Sequence, residues 1–120
     1  METVVNLQQK LASFDDQWSP KIVGEVNGQH VKLAKVQGEF VWHAHAHEDE
    51  LFLVIKGRLV IELRDGAVAI GPGEFVVIPK GVEHRPVAAE EVHVMLFEPA
   101  GILHTGGVPD ARAVTEYERI

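Results

Sequence analysis

Histidines alternate at His43, His45 and His47, and three acids follow at Glu48, Asp49 and Glu50. Side chains two apart share one face of a strand, so either His43 and His45 or His45 and His47 can aim two imidazoles at one point. A short loop over 46–49 then lets Glu50 open the next strand and return a carboxylate toward that point. A second stretch, Gly73-Glu-Phe-Val-Val-Ile-Pro79-Lys-Gly81-Val-Glu-His84, starts a strand at Gly73, ends it at Pro79 and turns at Gly81 before His84 enters another strand. His84 is the candidate third imidazole. Neutral imidazoles with one carboxylate suit one divalent first-row transition metal (Fe, Mn, Ni, Co, Cu or Zn) rather than Ca or Mg, and leave coordination positions open for substrate or water.

Such a set needs strands to hold it, and the composition supplies them. Val occurs 18 times and Ile 7 times against 9 Leu, a β-branched excess that favours pleated structure. Turn signals recur at Asn27-Gly28, Lys56-Gly57, Asp65-Gly66, Gly71-Pro72-Gly73 and Pro79-Lys80-Gly81. Between them the pattern predicts strands over 21–26, 29–36, 40–45, 50–56, 58–64, 67–70, 75–78 and 92–98. Asn27-Gly28 and Asp65-Gly66 read as two-residue type I′ hairpin loops. Leu59, Ile61 and Leu63 alternate with polar neighbours, whereas the strand from Val92 is apolar on both faces and is expected to line an interior. One helix is predicted at the N-terminus, capped by Asn6 with Gln9 completing a capping box, its Leu7, Leu11 and Phe14 packed on the outside of the sheets. Residues 111–120 read as a short helix or a docked tail.

At 120 residues the chain reads as one domain, divided into an N-terminal helix and arm (1–20), a barrel (21–99) and a C-terminal tail (100–120). It has no cysteine, which removes disulfides, Cys-based zinc sites and thiol nucleophiles. A net charge of -7 with scattered Lys and Arg argues against nucleic acid as a partner. No apolar run reaches the roughly 18 residues of a membrane span, and the start lacks a signal-peptide pattern, so a soluble cytoplasmic protein is expected.

The stretch Trp42-His43-x-His45-x4-Glu50-x6-Gly57 resembles the first cupin motif, and Gly73-x5-Pro79-x-Gly81-x2-His84 resembles the second. The resemblance runs from about Lys21 to Pro99. It implies an all-β double-stranded β-helix, the RmlC-like cupin jelly-roll barrel, with a short N-terminal helix and a metal site in the barrel mouth. By the family spacing to Glu50, the implied metal ligands are His43, His45, Glu50 and His84, with His47 beside them. The phrases Asp49-Glu50-Leu51-Phe52 and Gly81-Val82-Glu83-His84-Arg85-Pro86 look like a group of single-domain cupins, some labelled mannose-6-phosphate-isomerase-like by similarity. Two positions depart from the pattern: Gly38 precedes His43 by five places rather than six, and Ala88 stands where an Asn often closes the second motif.

The function expected from these residues is a small metalloenzyme, isomerase/lyase or dioxygenase in type, acting on a small polar or anionic metabolite with the metal as Lewis acid. Candidate proton-handling catalytic residues are His47, His93 and Glu98. The alternative is a non-catalytic metabolite- or metal-binding barrel, because a fold so widely reused does not fix function. His30 reads as a solvated hairpin residue. Arg85 reads as an anion contact or a rim salt bridge, and His104 with Thr105 as a lid. Phe40, Trp42, Phe52, Phe75, Met95 and Phe97 read as core, with one or two walling the pocket. The apolar segment Val4 to Val26 suggests a homodimer.

Overall fold

The computed structural model describes residues 4–120. It is an all-β double-stranded β-helix with one short helix, as the sequence implies. The helix α1 (Leu7–Leu11) starts where the Asn6 side chain accepts from the Gln9 backbone N–H at 3.0 Å. Leu11 and Phe14 then pack with Val23 and Leu33 on the outer face of the sheet. Buried Lys35 reaches across and donates to the carbonyls of Leu11 and Phe14, satisfying acceptors at the end of the helix.

The strands are β1 (Lys21–Val26), β2 (Gln29–Glu39), β3 (Glu50–Lys56), β4 (Leu59–Leu63), β5 (Gly66–Ile70), β6 (Phe75–Ile78), β7 (His84–Pro99) and β8 (Glu118–Arg119). They run β5-β4-β7-β2-β1-β8, with β3 added between β7 and β6. The 16-residue β7 serves both layers: His84–Val87 pair with β4, and His93–Phe97 pair with β2 and β3. Its alternation puts Val92, Val94 and Leu96 in the core with Ala34, Val36, Phe52, Val54, Leu59 and Ile61. The opposite face carries Met95 against the helix cluster, so both faces of this strand are covered, as its sequence predicts.

Three local expectations are corrected. The segment 40–45 is not a regular strand; Phe40 N–H donates to the Pro86 carbonyl at 3.0 Å, and His43 and His84 form an isolated bridge. A register shift between Val36 and Gly38, with Gly38 at φ +87°, bends β2 just before it, and regular pairing with β7 ends at Glu39 opposite Val87. The β4–β5 hairpin turns on Arg64-Asp65, pairing Leu63 with Gly66, and neither Asp65 nor Gly66 has positive φ. Pairing of buried Leu59 with buried Ile70 sets that register and overrides the Asp-Gly signal. The Asn27-Gly28 loop does show positive φ at both positions, 49° and 77°. Phe75, read as core, is 61% exposed on β6.

The tail docks rather than forming a helix. Its β8 pairs parallel with β1, and the Tyr117 hydroxyl bridges it to an earlier loop, donating to the Ile102 carbonyl and accepting from the His104 N–H, each at 2.8 Å. Gly106 lies so close to the 43–45 segment that a Cβ there would stand 2.4 Å from the Ala44 carbonyl oxygen, at φ +64°. Gly106→Ala is expected to cost roughly 1–3 kcal/mol more than Gly107→Ala, whose added Cβ meets nothing within 4 Å, as read by urea denaturation.

Candidate metal centre

Three separate segments deliver the cluster. The irregular stretch 43–45 supplies His43 and His45, the first residue of β3 supplies Glu50, and the first residue of β7 supplies His84. Gly81 holds φ +81° in the turn that leads to His84, and its N–H donates to the His45 carbonyl at 2.8 Å, tying the two halves together. All four side chains are buried, and one ligand atom from each lies within 4.8 Å of every other. Nε2 of His45 and Nε2 of His84 each sit 3.4 Å from Glu50 Oε1.

Tautomers follow from backbone contacts. His43 Nδ1 and His84 Nδ1 each face a carbonyl oxygen at 2.9 Å, of Val41 and Val82, so both carry the proton there and present Nε2 as a lone pair. His45 Nε2, Glu50 Oε1 and His84 Nε2 are buried and find no hydrogen-bond partner among the described residues. Orphaned acceptors of this kind cost about 1–3 kcal/mol each. Their convergence fits a divalent cation, which would satisfy all of them at once.

Electrostatics support an anionic, proton-poor site. Burial, then the neighbouring His84 imidazole, pushes His43 down to about 4. Burial raises Glu50, but the close approach of Glu98, His45 and His84 outweighs it and holds the carboxylate well below its usual range. In the metal-free chain, His43 therefore stays neutral where the unfolded imidazole takes up a proton. Stability conferred by the neutral site is present at pH 7 and is lost as pH falls from about 6.5 toward 4. Urea midpoints of chelator-treated protein are expected to drop steadily across that window; a flat profile would contradict the buried neutral imidazole.

Behind Glu50 lies a second polar layer. Antiparallel pairing of Leu51 with Phe97 sets Glu50 opposite Glu98. Glu98 is fully buried, takes a 2.9 Å hydrogen bond from equally buried Lys32, and has its pKa raised by burial and by the Glu50 charge despite that lysine. The Lys32 ammonium also lies 3.7 Å from the Tyr117 ring centroid. Glu98 thus touches the cluster from behind.

The other two proton-handling candidates are not brought to the cluster. His93 occupies the opposite parity of β7 from Val92 and Val94, so it faces outward beside Lys35 and Lys56 and sits 3.1 Å from Glu91. His47 is exposed on the surface loop beside Ala46 and Glu48. His30, expected to be solvated, is buried and paired with Glu25 at 3.0 Å, because β1 and β2 place the two opposite one another. Arg85 takes the rim salt-bridge role, held by Glu62 and Glu39.

His43 and Glu50 open onto a narrow cavity inside the barrel. Its walls are Ala34, Val36, Phe40, Phe52, Leu59, Val94 and Leu96, closed at one end by Trp18, Pro20 and Pro86. Phe40 stacks on Trp18 at 4.4 Å, which fixes that end. Apart from His43 and Glu50, one ionisable side chain lines it among the described residues: His104, from the tail. Sequence reasoning gave His104 no more than a lid position, since nothing in its neighbours shows that Tyr117 draws the tail back over the mouth.

A sequence profile of the cupin domain matches residues 29–106, which includes every member of the cluster. The chain belongs to the cupin family. A crystal structure of a cupin-2 domain containing protein from Shewanella frigidimarina shares 49% identity with this cupin at a TM-score of 0.79, over 80% of this chain and 94% of that one. The crystal structure of protein NMB1881 from Neisseria meningitidis is 31% identical at a TM-score of 0.75, over 82% of this chain and all of that one. The uncharacterized protein YdbB of Bacillus subtilis is 42% identical over 64 residues, 52% of this cupin and 57% of that protein. Among the described residues no helix is long and apolar enough to cross a membrane.

Proposed function

We propose that this cupin is a small metalloenzyme that holds one divalent first-row transition metal through His43, His45, Glu50 and His84 and binds a small molecule in the barrel beside it. The observation that carries this reading is the set of buried, unpartnered ligand atoms gathered within 4.8 Å on the wall of a cavity. A metal bound there supplies Lewis acidity or, as iron, redox chemistry. Oxygen-dependent chemistry of the dioxygenase type is favoured over isomerase or lyase chemistry. Proton shuttling needs an acid or base within reach of the substrate, and none of the three sequence candidates, His47, His93 and Glu98, lines the cavity. A phosphate-bearing substrate such as mannose 6-phosphate finds no Lys or Arg on the cavity lining.

The expected homodimer would rest on Val4, Val5 and Val26, the exposed large apolar residues of that segment, since Leu11, Phe14, Ile22 and Val23 are buried within the chain itself; gel filtration reads the mass. The test of the enzyme reading is elemental analysis of untagged protein purified without chelator, beside His45→Ala, followed by oxygen uptake of the Fe(II)-loaded protein and isomerase and lyase panels. One equivalent of metal, lost in the variant, with turnover in any panel supports it. Metal without turnover would leave a non-catalytic binding barrel, and absence of metal would sink both the site and the enzyme.

A further inference from the structure

The cavity also specifies what it takes. It is apolar on nearly all sides, its two charged or metal-facing groups, His43 and Glu50, lie together at the cluster, and His104 is the remaining ionisable lining group. His104 is 7% exposed, and its Nε2 is buried with no hydrogen-bond partner among the described residues. The ring is not placed by chance. Its backbone N–H is held by the Tyr117 hydroxyl at 2.8 Å, its face lies 5.4 Å from Phe40, and its edge meets the Tyr117 ring at 6.0 Å. A buried imidazole nitrogen left without a partner costs about as much as a lost hydrogen bond, and a ligand atom can recover it.

We infer that the substrate is a small molecule with an uncharged, apolar body, one metal-directed oxygen group, and a second polar atom that hydrogen-bonds to His104 Nε2. This deepens the metalloenzyme reading and rests on it. It also narrows the polar or anionic metabolite expected from the sequence: charge placed away from the metal-directed group would lie against Val36, Phe52, Val94 and Leu96 with no countercharge. Orientation follows from the two anchors, since the metal-directed group fixes one end and His104 fixes the other.

The experiment uses the full chain loaded with Zn²⁺ and four hydroxamic acids that share one metal-binding head: acetohydroxamic, benzohydroxamic, 3-hydroxybenzohydroxamic and 4-hydroxybenzohydroxamic acids. Dissociation constants are measured by calorimetry for wild type, His104→Ala and His104→Asn, with zinc content checked in each. Benzohydroxamic acid is expected to bind at least about tenfold tighter than acetohydroxamic acid, from burial of the ring. At least one ring-hydroxylated probe is expected to gain about a further fivefold to tenfold in wild type, with that gain absent in His104→Ala. His104→Asn keeps a polar group in the fold and serves if the alanine variant is unstable; it too is expected to lose the gain. Acetohydroxamic acid binding with no benefit from the ring, or an equal loss for every probe in the variants, would overturn the inference and leave the metal site standing. Absence of zinc binding, or of any hydroxamate binding to zinc-loaded protein, would overturn the metalloenzyme reading and this inference with it.

Discussion

Supplying Zn²⁺ at about a thousandfold above its dissociation constant is expected to stabilise the wild type by about 4 kcal/mol. For a chain of 120 residues that corresponds to a rise in melting temperature of roughly 10–20 °C. The effect is large because the folded, metal-free site already holds His45 Nε2, Glu50 Oε1 and His84 Nε2 buried and unpaired, so the ion finds a prearranged cage with acceptors waiting. Glu50→Gln and His84→Ala should each abolish the rise under the same conditions. Glu50→Gln is the cleaner probe, since it keeps side-chain volume and removes the charge. Thermal melts with and without chelator decide the matter. A rise of equal size in both variants would place the ion elsewhere on the protein, for instance at exposed His47.

The second large effect comes from Lys32. This ammonium is completely buried, and its 2.9 Å bond to Glu98 is its ion pair. Lys32→Met leaves Glu98 facing Glu50 across the β7–β3 pairing with no cation nearby, and should cost about 3–5 kcal/mol. The double change Lys32→Met with Glu98→Leu should recover most of that loss, because two apolar side chains of similar size then replace a desolvated pair. Chemical denaturation of the two variants measures it. If the single variant is as stable as wild type, the pair is not the closed, water-free contact described. If the double variant binds zinc as tightly as wild type, Glu98 contributes nothing to the placement of Glu50.

The four-residue cluster was legible because two-residue spacing offers His43 with His45 or His45 with His47, and the resemblance to the cupin motif, through its spacing to Glu50, selects the first pair and adds His84 after the Gly81 turn. The structure brings those four side chains together even where the local structure differs. His43 and His45 converge from an irregular segment held by one bridge to His84, not from a regular strand. What was not legible depends on distant pairing. His93 looked like an interior candidate until the parity of β7 was known, and parity is set by which face of a sixteen-residue strand meets Ala34 and Val36. His30 looked solvated until its pairing with Glu25 appeared. His104 reached the cavity only because Tyr117, thirteen residues later, clasps the tail. None of these contacts leaves a local trace in composition or spacing.

One strand also governs how such a molecule comes together in time. β7 closes against β2 by pairs as distant as Gln29 with Pro99, and the same strand begins at His84. Little of the barrel can therefore be stable before chain segments far apart have met, and a loop-closure cost of that kind places folding in the slow range of small β proteins, milliseconds to seconds. The two imidazoles of the 43–45 segment and the imidazole of His84 lie on either side of that late closure. Capture of an ion by all four ligands is accordingly a clock for the final step of assembly, and a nascent chain has to be released past Pro99 before it can hold its metal.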